Sequence, residues 1–150
     1  MVKYLYKLKL CLIIVLFIFF DFITKFLATY YLEIRQIDFF SGFFYLHLFL
    51  NDWIAFSFYV PFLKILTIVI ILLLVFYYIK YESFKKNKII DLSFVLIISW
   101  ALWNAWERVF LWRVTDFIWV KYFSVFNLAD TYITLWMIIY FVLVVFKKDK

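Results

Sequence analysis

The sequence predicts an all-α membrane protein, a bundle of four transmembrane helices, and three observations predict it. The chain of 150 residues is 69% hydrophobic with a mean hydropathy of +1.02, more apolar surface than a soluble domain of this length can hide. Four apolar stretches each come within a few residues of the ~20 helical residues that a hydrocarbon core of roughly 30 Å requires. Lysines gather at the ends of those stretches and leave their interiors almost free of charge. The length fits one domain over residues 1–150, so all four stretches should belong to one bundle.

The first stretch covers residues 10–29. Lys3, Lys7 and Lys9 before an apolar run give it the look of a cleavable signal peptide, but the run is long enough to span and no small-residue cleavage site closes it. It is expected to stay as the first span. The second covers residues 62–79, with Pro61 just ahead, where a helix's first amide has no internal partner and proline's fixed φ suits entry. The third and fourth cover residues 92–109 and 129–146.

Direction follows from the lysines. Three lie at the N-terminus; Lys80, Lys85, Lys86 and Lys88 join spans two and three; Lys147, Lys148 and Lys150 close the chain. Cytoplasmic ends carry such an excess, so both termini and that link are expected in the cytoplasm. Residues 30–60 and 110–128 then face outward. Within the first outer segment, residues 43–50 are almost all aromatic or aliphatic and lie between Gly42 and Asn51, a pattern that suits a short strand or hairpin at the membrane surface, or an aromatic belt there.

Several function classes drop out. The net charge of +6 comes from lysines at segment ends rather than from a basic stripe, which argues against nucleic acid as a partner. A single cysteine, Cys11, excludes an internal disulfide, and a single histidine, His47, argues against zinc. Metal-free chemistry is expected, and His47 in an aromatic strand reads as structural.

The chemistry must then come from a few polar residues. Asp21, Asn104, Glu107 and Arg108 lie inside spans, where ionisable groups cost several kcal/mol unless they face the protein interior or a partner. Asp21 and Lys25 share one helix face at a spacing of four. Asp116 follows the third span and Asp130 opens the fourth, so both are expected at the outer boundary. Two carboxylates in a poorly solvated site tend to hold one proton between them. Such a pair can activate water with one member and protonate a carbonyl or leaving amine with the other. Plainer readings stay open: Asn127 and Asp130 as a helix cap, Asp116 as a loop acid paired with Arg113 or Lys121, and Asp21–Lys25 and Glu107–Arg108 as pairs that only lock helices together.

In one order along the chain, DFITK carries Asp21, Thr24 and Lys25; NDWIAFS carries Asn51, Ala55 and Phe56; WNAWERV carries Asn104, Glu107 and Arg108; VTDFI carries Asp116; and FNLAD carries Phe126, Asn127, Ala129 and Asp130. These landmarks resemble those of the lipoprotein signal peptidases. That family has Asp with Thr-Lys three residues on, Asn-x-Gly-x-Ala-Phe, Gly-Asn-x-x-Asp-Arg, Val-x-Asp-Phe and Phe-Asn-x-Ala-Asp.

The resemblance implies an aspartic endopeptidase of the bacterial cell membrane, working at the outer face without a cofactor. It would remove the signal peptide of diacylglyceryl-modified prolipoproteins just before the lipidated cysteine. Its catalytic pair would be Asp116 and Asp130, with Asp21, Lys25, Asn51, Asn104, Arg108 and Asn127 as a supporting polar shell. It further implies a small extracytoplasmic β-cradle between spans one and two with a surface helix, a contact with membrane lipid, a functional link to prolipoprotein diacylglyceryl transferase, and a monomer.

Two departures stand out. Glu107 replaces the family's Asp and keeps the charge. Trp53, Trp100, Trp103, Trp112 and Trp136 stand where the family has glycine, and the chain holds one glycine in all. Overpacking by one such change costs more than about 1–3 kcal/mol. The chain is then either a re-specialised or non-catalytic relative with its helices spread apart, or the product of a gene in which UGA means glycine. A third reading, independent of the resemblance, is a small four-span transporter with Asp21 as its proton-coupled site.

Overall fold

The computed structural model describes residues 2–52, 62–85 and 87–146. Its helices are α1 (Val2–Leu32), α2 (Leu63–Tyr77) continued by a π-helical turn (Tyr78–Glu82), α3 (Lys88–Phe110) and α4 (Leu128–Val145). Four stretches among the described residues are long and apolar enough to cross a membrane, namely Leu5–Leu32, Leu63–Glu82, Lys88–Phe110 and Leu128–Val145. Each expected span falls on one of them. The helices run further than the apolar counts, because polar ends such as Lys7, Lys9 and Asn87 continue or cap a helix without being apolar. Pro61, Lys86 and the C-terminal lysines lie outside the described residues, and α2 begins after Phe62.

The helix α3 is the centre of the bundle. Of its apolar window 61% is buried, against 11% or less in each of the others, so α1, α2 and α4 pack around it and turn their remaining faces outward. Asn87 caps α3 by accepting from the Ile89 and Ile90 amides, which satisfies two of the donors a helix start leaves open. Asp91 in its first turn is buried, and the hydroxyls of Tyr6 on α1 and Tyr78 on the π turn donate to its two oxygens at 2.7 and 2.8 Å.

Four strands form one antiparallel sheet in the order β1-β2-β3-β4. They are β1 (Ile37–Phe39), β2 (Phe44–Asn51), β3 (Val114–Val120) and β4 (Val125–Phe126). The hairpin read from residues 43–50 is therefore present, turned through Phe40, Ser41 and Gly42 at positive φ, with the Gly42 amide donating to Asp38 Oδ1 at 2.7 Å. The expectation of a cradle built between spans one and two needs correction. Half of the sheet comes from the link between spans three and four, where the β-branched and aromatic run Val114–Val120 pairs with β2. The sheet seats on the C-terminal end of α1 through Ala28, Leu32, Phe117 and Ile118. No surface helix occurs among the described residues of these links.

Trp100 lies fully buried between α1, α3 and α4, stacked on Tyr132 with ring centroids 4.9 Å apart and met edge-on by Phe17 and Phe20. Trp136 packs beside it, and Trp103 stacks on Trp106. The helices stay in contact around these rings. The cost appears as indole N–H groups of Trp100 and Trp103 that are buried with no acceptor among the described residues, and as Trp112 in the left-handed backbone region at φ +64°. Trp53 lies outside the described residues.

Candidate active site

The site lies where the sheet meets the first turn of α4. Asp116 stands on β3 directly opposite Phe49 of β2, and Asn51, two residues further along β2, reaches across to it. Between Leu46 and Phe49 the register shifts by a β-bulge, which re-aims the end of β2 so that its last side chain faces the carboxylate. Asn51 Nδ2 donates to Asp116 Oδ2 at 2.7 Å. The same carboxylate receives Asn127 Nδ2 on its other oxygen, also at 2.7 Å. Asp116 is buried, so it is not the solvated loop acid paired with Arg113 or Lys121 that the spacing left open.

Asn127 also starts α4. Its Oδ1 accepts from the Asp130 amide at 3.0 Å, and Asp130 Oδ2 accepts from the Asn127 amide at 3.2 Å, a reciprocal capping box. The capping reading of this pair is therefore correct, and the cap is also the link to Asp116. Through one side chain, Asn127, the cap of a helix is tied to the carboxylate of a strand. Asp130 Oδ1 accepts a further bond from Asn104 Nδ2 of α3 at 3.1 Å.

Behind the two aspartates lies a buried ionic cluster. Lys25 Nζ donates to Asn104 Oδ1 and to Glu107 Oε2, and pairs with Asp21 at 3.2 Å. Asp21 has no exposed surface. Glu107 pairs with Lys25 and not with its neighbour Arg108, which corrects the Glu107–Arg108 reading. Its other oxygen accepts from the Thr115 amide and hydroxyl, so α3 is pinned to β3 one residue before Asp116. Arg108 is half-buried and interacts electrostatically with Asp130, Asp116 and Glu107, with its Nε buried and lacking a hydrogen-bond partner among the described residues.

The fold thus brings together Asp21, Lys25, Asn51, Asn104, Arg108, Asn127, Asp116 and Asp130. Thr115 and the bridging role of Glu107 were not read from the sequence. No local signal marks them, since both act through contacts made only when β3 folds back on α3. His47 is half-buried on β2, its ring edge-on to Phe49.

Burial pushes the Asp116 carboxyl from its ordinary 3.8 up to about 7, and the charge of Asp130 adds to the shift. The Asn51 and Asn127 amides and the Lys25 ammonium pull the other way. Two carboxyl groups in mutual electrostatic contact, one of them half-protonated near neutrality, are the arrangement that holds a proton for general acid–base work.

The sequence profile described as Signal peptidase (SPase) II matches residues 13–146. The chain belongs to the signal peptidase II family. It is a peptidase and a multi-pass protein of a bacterial membrane. A lipoprotein signal peptidase of Francisella tularensis subsp. novicida (strain U112) is 34% identical over 154 residues, covering 96% of each chain. One of Bartonella henselae is 39% identical over 97 residues, 59% of this chain and 58% of that one. The solved structure titled "Bacterial membrane enzyme structure by the in meso method at 2.3 A resolution" superposes with a TM-score of 0.77 at 27% identity, over 95% of this chain and 93% of that one. A second of the same kind, at 1.9 Å, gives 0.76. In this member of the signal peptidase II family, the Asp116–Asp130 region lies at one end of the four spans.

Proposed function

We propose that this signal peptidase cuts diacylglyceryl-modified prolipoproteins just before the lipidated cysteine, with Asp116 and Asp130 as an aspartic dyad at the outer face of the membrane. The observation that carries the assignment is Asn127, whose one side chain binds Asp116 while its cap holds Asp130. In this mechanism the ionised member of the pair takes a proton from water as the water oxygen attacks the scissile carbonyl carbon. The protonated member gives its proton to the carbonyl oxygen. Collapse of the resulting diol breaks the C–N bond, one hydroxyl proton passes to the carboxylate left bare, and the leaving nitrogen takes a proton from the other carboxyl. The dyad ends as it began, with one proton.

Asn51, Asn104 and Asn127 hold the carboxylates, and Lys25 with Asp21 and Glu107 fixes Asn104. In this reading the working enzyme is a monomer. The substrate's diacylglyceryl group must be installed first, so a diacylglyceryl transferase acts upstream.

The test is processing of a lipidated prolipoprotein by Asp116→Asn and Asp130→Asn. Each should lose at least about 100-fold in rate, the lower range of what a positioned acid or base contributes, while the protein stays inserted. A double variant with normal processing would end the aspartic assignment.

A further inference from the structure

A second polar cluster closes the end of the bundle opposite the aspartates. The π-helical turn after α2 carries the Ser83 amide to the Tyr78 carbonyl at 2.9 Å, an i to i+5 bond that adds one residue to the turn. That extra residue brings Glu82 onto the face of Tyr77, where it is 1% exposed; in an unbroken α-helix the side chain on that face would be one position earlier. Glu82 Oε1 takes three donors: Lys85 Nζ at 2.7 Å, the Tyr140 hydroxyl of α4 at 3.1 Å and the Tyr77 hydroxyl at 3.3 Å. Its Oε2 is buried and has no hydrogen-bond partner among the described residues. Among the described residues this carboxylate thus has one oxygen with three donors and the other with none.

The missing donor has a route of approach. A groove of about 410 Å³ runs along α2 and its π turn, lined by Ile70, Leu73, Leu74, Phe76, Tyr77 and Tyr81. It is apolar through mid-span and reaches Tyr77, the residue that donates to Glu82, and then Tyr81. Tyr77 and Tyr140 join α2 to α4 there, their hydroxyls 3.0 Å apart. At its other end α4 carries Asp130 in its first turn. Ten residues of α4 separate Asp130 from Tyr140, about 15 Å of helix. A signal peptide has an apolar core of about 7–15 residues preceded by a positively charged segment, so its cleaved end and its basic end stand roughly 10–22 Å apart as a helix.

We propose that Glu82, clasped by Tyr77 and Tyr140, binds the basic N-terminal segment of the signal peptide while the apolar core lies along the α2 groove. The clasp measures the substrate from its charged end and sets the scissile bond against the aspartates. A lysine ammonium supplies the donor that Oε2 lacks, in a low-dielectric setting where a charge-assisted bond is strong. This inference rests on the peptidase reading above, and Glu82 is in it a substrate-binding residue outside the dyad.

The experiment measures kcat and KM on the full-length protein with two diacylglyceryl-modified substrates, identical except that the basic residues of the N-terminal segment are lysine or glutamine. With the native protein, the glutamine substrate should show KM about tenfold higher at unchanged kcat, the loss of one charged hydrogen bond. With Glu82→Gln the two substrates should become equal in KM, both at the weaker value. Equal KM for the two substrates on the native protein overturns the proposal, and this holds even if Glu82→Gln does not fold. A difference that persists undiminished in Glu82→Gln overturns it as well, assigning the charge preference elsewhere. In either case cleavage of the substrates by the native protein leaves the peptidase reading standing, whereas cleavage of neither substrate removes that reading instead.

Discussion

Asn127 Nδ2 stands 2.7 Å from Asp116 Oδ1, and the same side chain's oxygen caps the helix that carries Asp130 in its first turn. One amide therefore sets the spacing of two carboxylates that come from different kinds of secondary structure. Neither the strand nor the helix alone would hold that spacing.

Asn127→Ala should lower stability by about 0.5–2 kcal/mol for the lost cap, and activity by far more than that loss explains. Asn127→Ser restores a capping oxygen without the amide donor. Its thermal midpoint in detergent should recover while its rate on a lipidated substrate stays low. Recovery of both together would show that Asn127 serves the helix only.

The pH dependence follows from Asp116. Its folded-state pKa is raised to about 7 from 3.8, so the fold favours the protonated form. The stabilising contribution is whole below 3.8 and is lost as pH rises through about 7. Stability of the native protein should thus fall between those limits, and Asp116→Asn should flatten that part of the curve. Activity should decline above about pH 7 as the pair loses its shared proton. Thermal melts and rates across that range check both statements.

Lys25 is a buried cation between Asp21, Glu107 and Asn104. Lys25→Met leaves two buried carboxylates without their counter-ion and should cost about 3–5 kcal/mol. Adding Asp21→Asn to that variant should return part of the loss, because one uncompensated charge is gone. A thermal double-mutant cycle reads the coupling, and strictly additive losses would contradict the paired geometry.

Trp112 occupies φ +64°, which costs a side chain with a Cβ about 1–2 kcal/mol. Its exposed ring lies over the Lys64 ammonium, a contact worth about 0.5–1 kcal/mol at a surface. Strain outweighs the contact, so Trp112→Gly should stabilise the protein by up to about 1 kcal/mol, measured as a rise in thermal midpoint. The reading of UGA as glycine adds a direct check: peptide mass spectrometry of the native protein should find glycine at positions 53, 100, 103, 112 and 136. Tryptophan at those positions would leave a chain that has packed its bundle around large rings.

Four apolar spans and most polar residues of the site were legible in the sequence. Apolar runs of bilayer length admit one secondary structure, and an Asp or Asn inside such a run has to be explained by a partner. The hairpin before α2 was legible for a similar reason, as an aromatic strand pattern beside a glycine. The strand carrying Asp116 was not. Val114–Val120 is short, and its strand character comes from pairing with residues sixty and more positions earlier. Glu107 likewise carried no mark of whether it would meet Arg108 beside it or Lys25 on another helix.

The sequence by itself determined which stretches can cross a membrane and which few polar side chains needed partners inside the fold, because burial in lipid penalises every polar group that has none. Only the tertiary structure decided who partners whom. The antiparallel register of β2 and β3 places Asn51 against Asp116, the cap of α4 brings Asn127 to both aspartates, and the π turn carries Glu82 inward. Those pairings are hydrogen bonds with reach of about 3 Å, and such distances are set by packing between distant segments rather than by any local pattern.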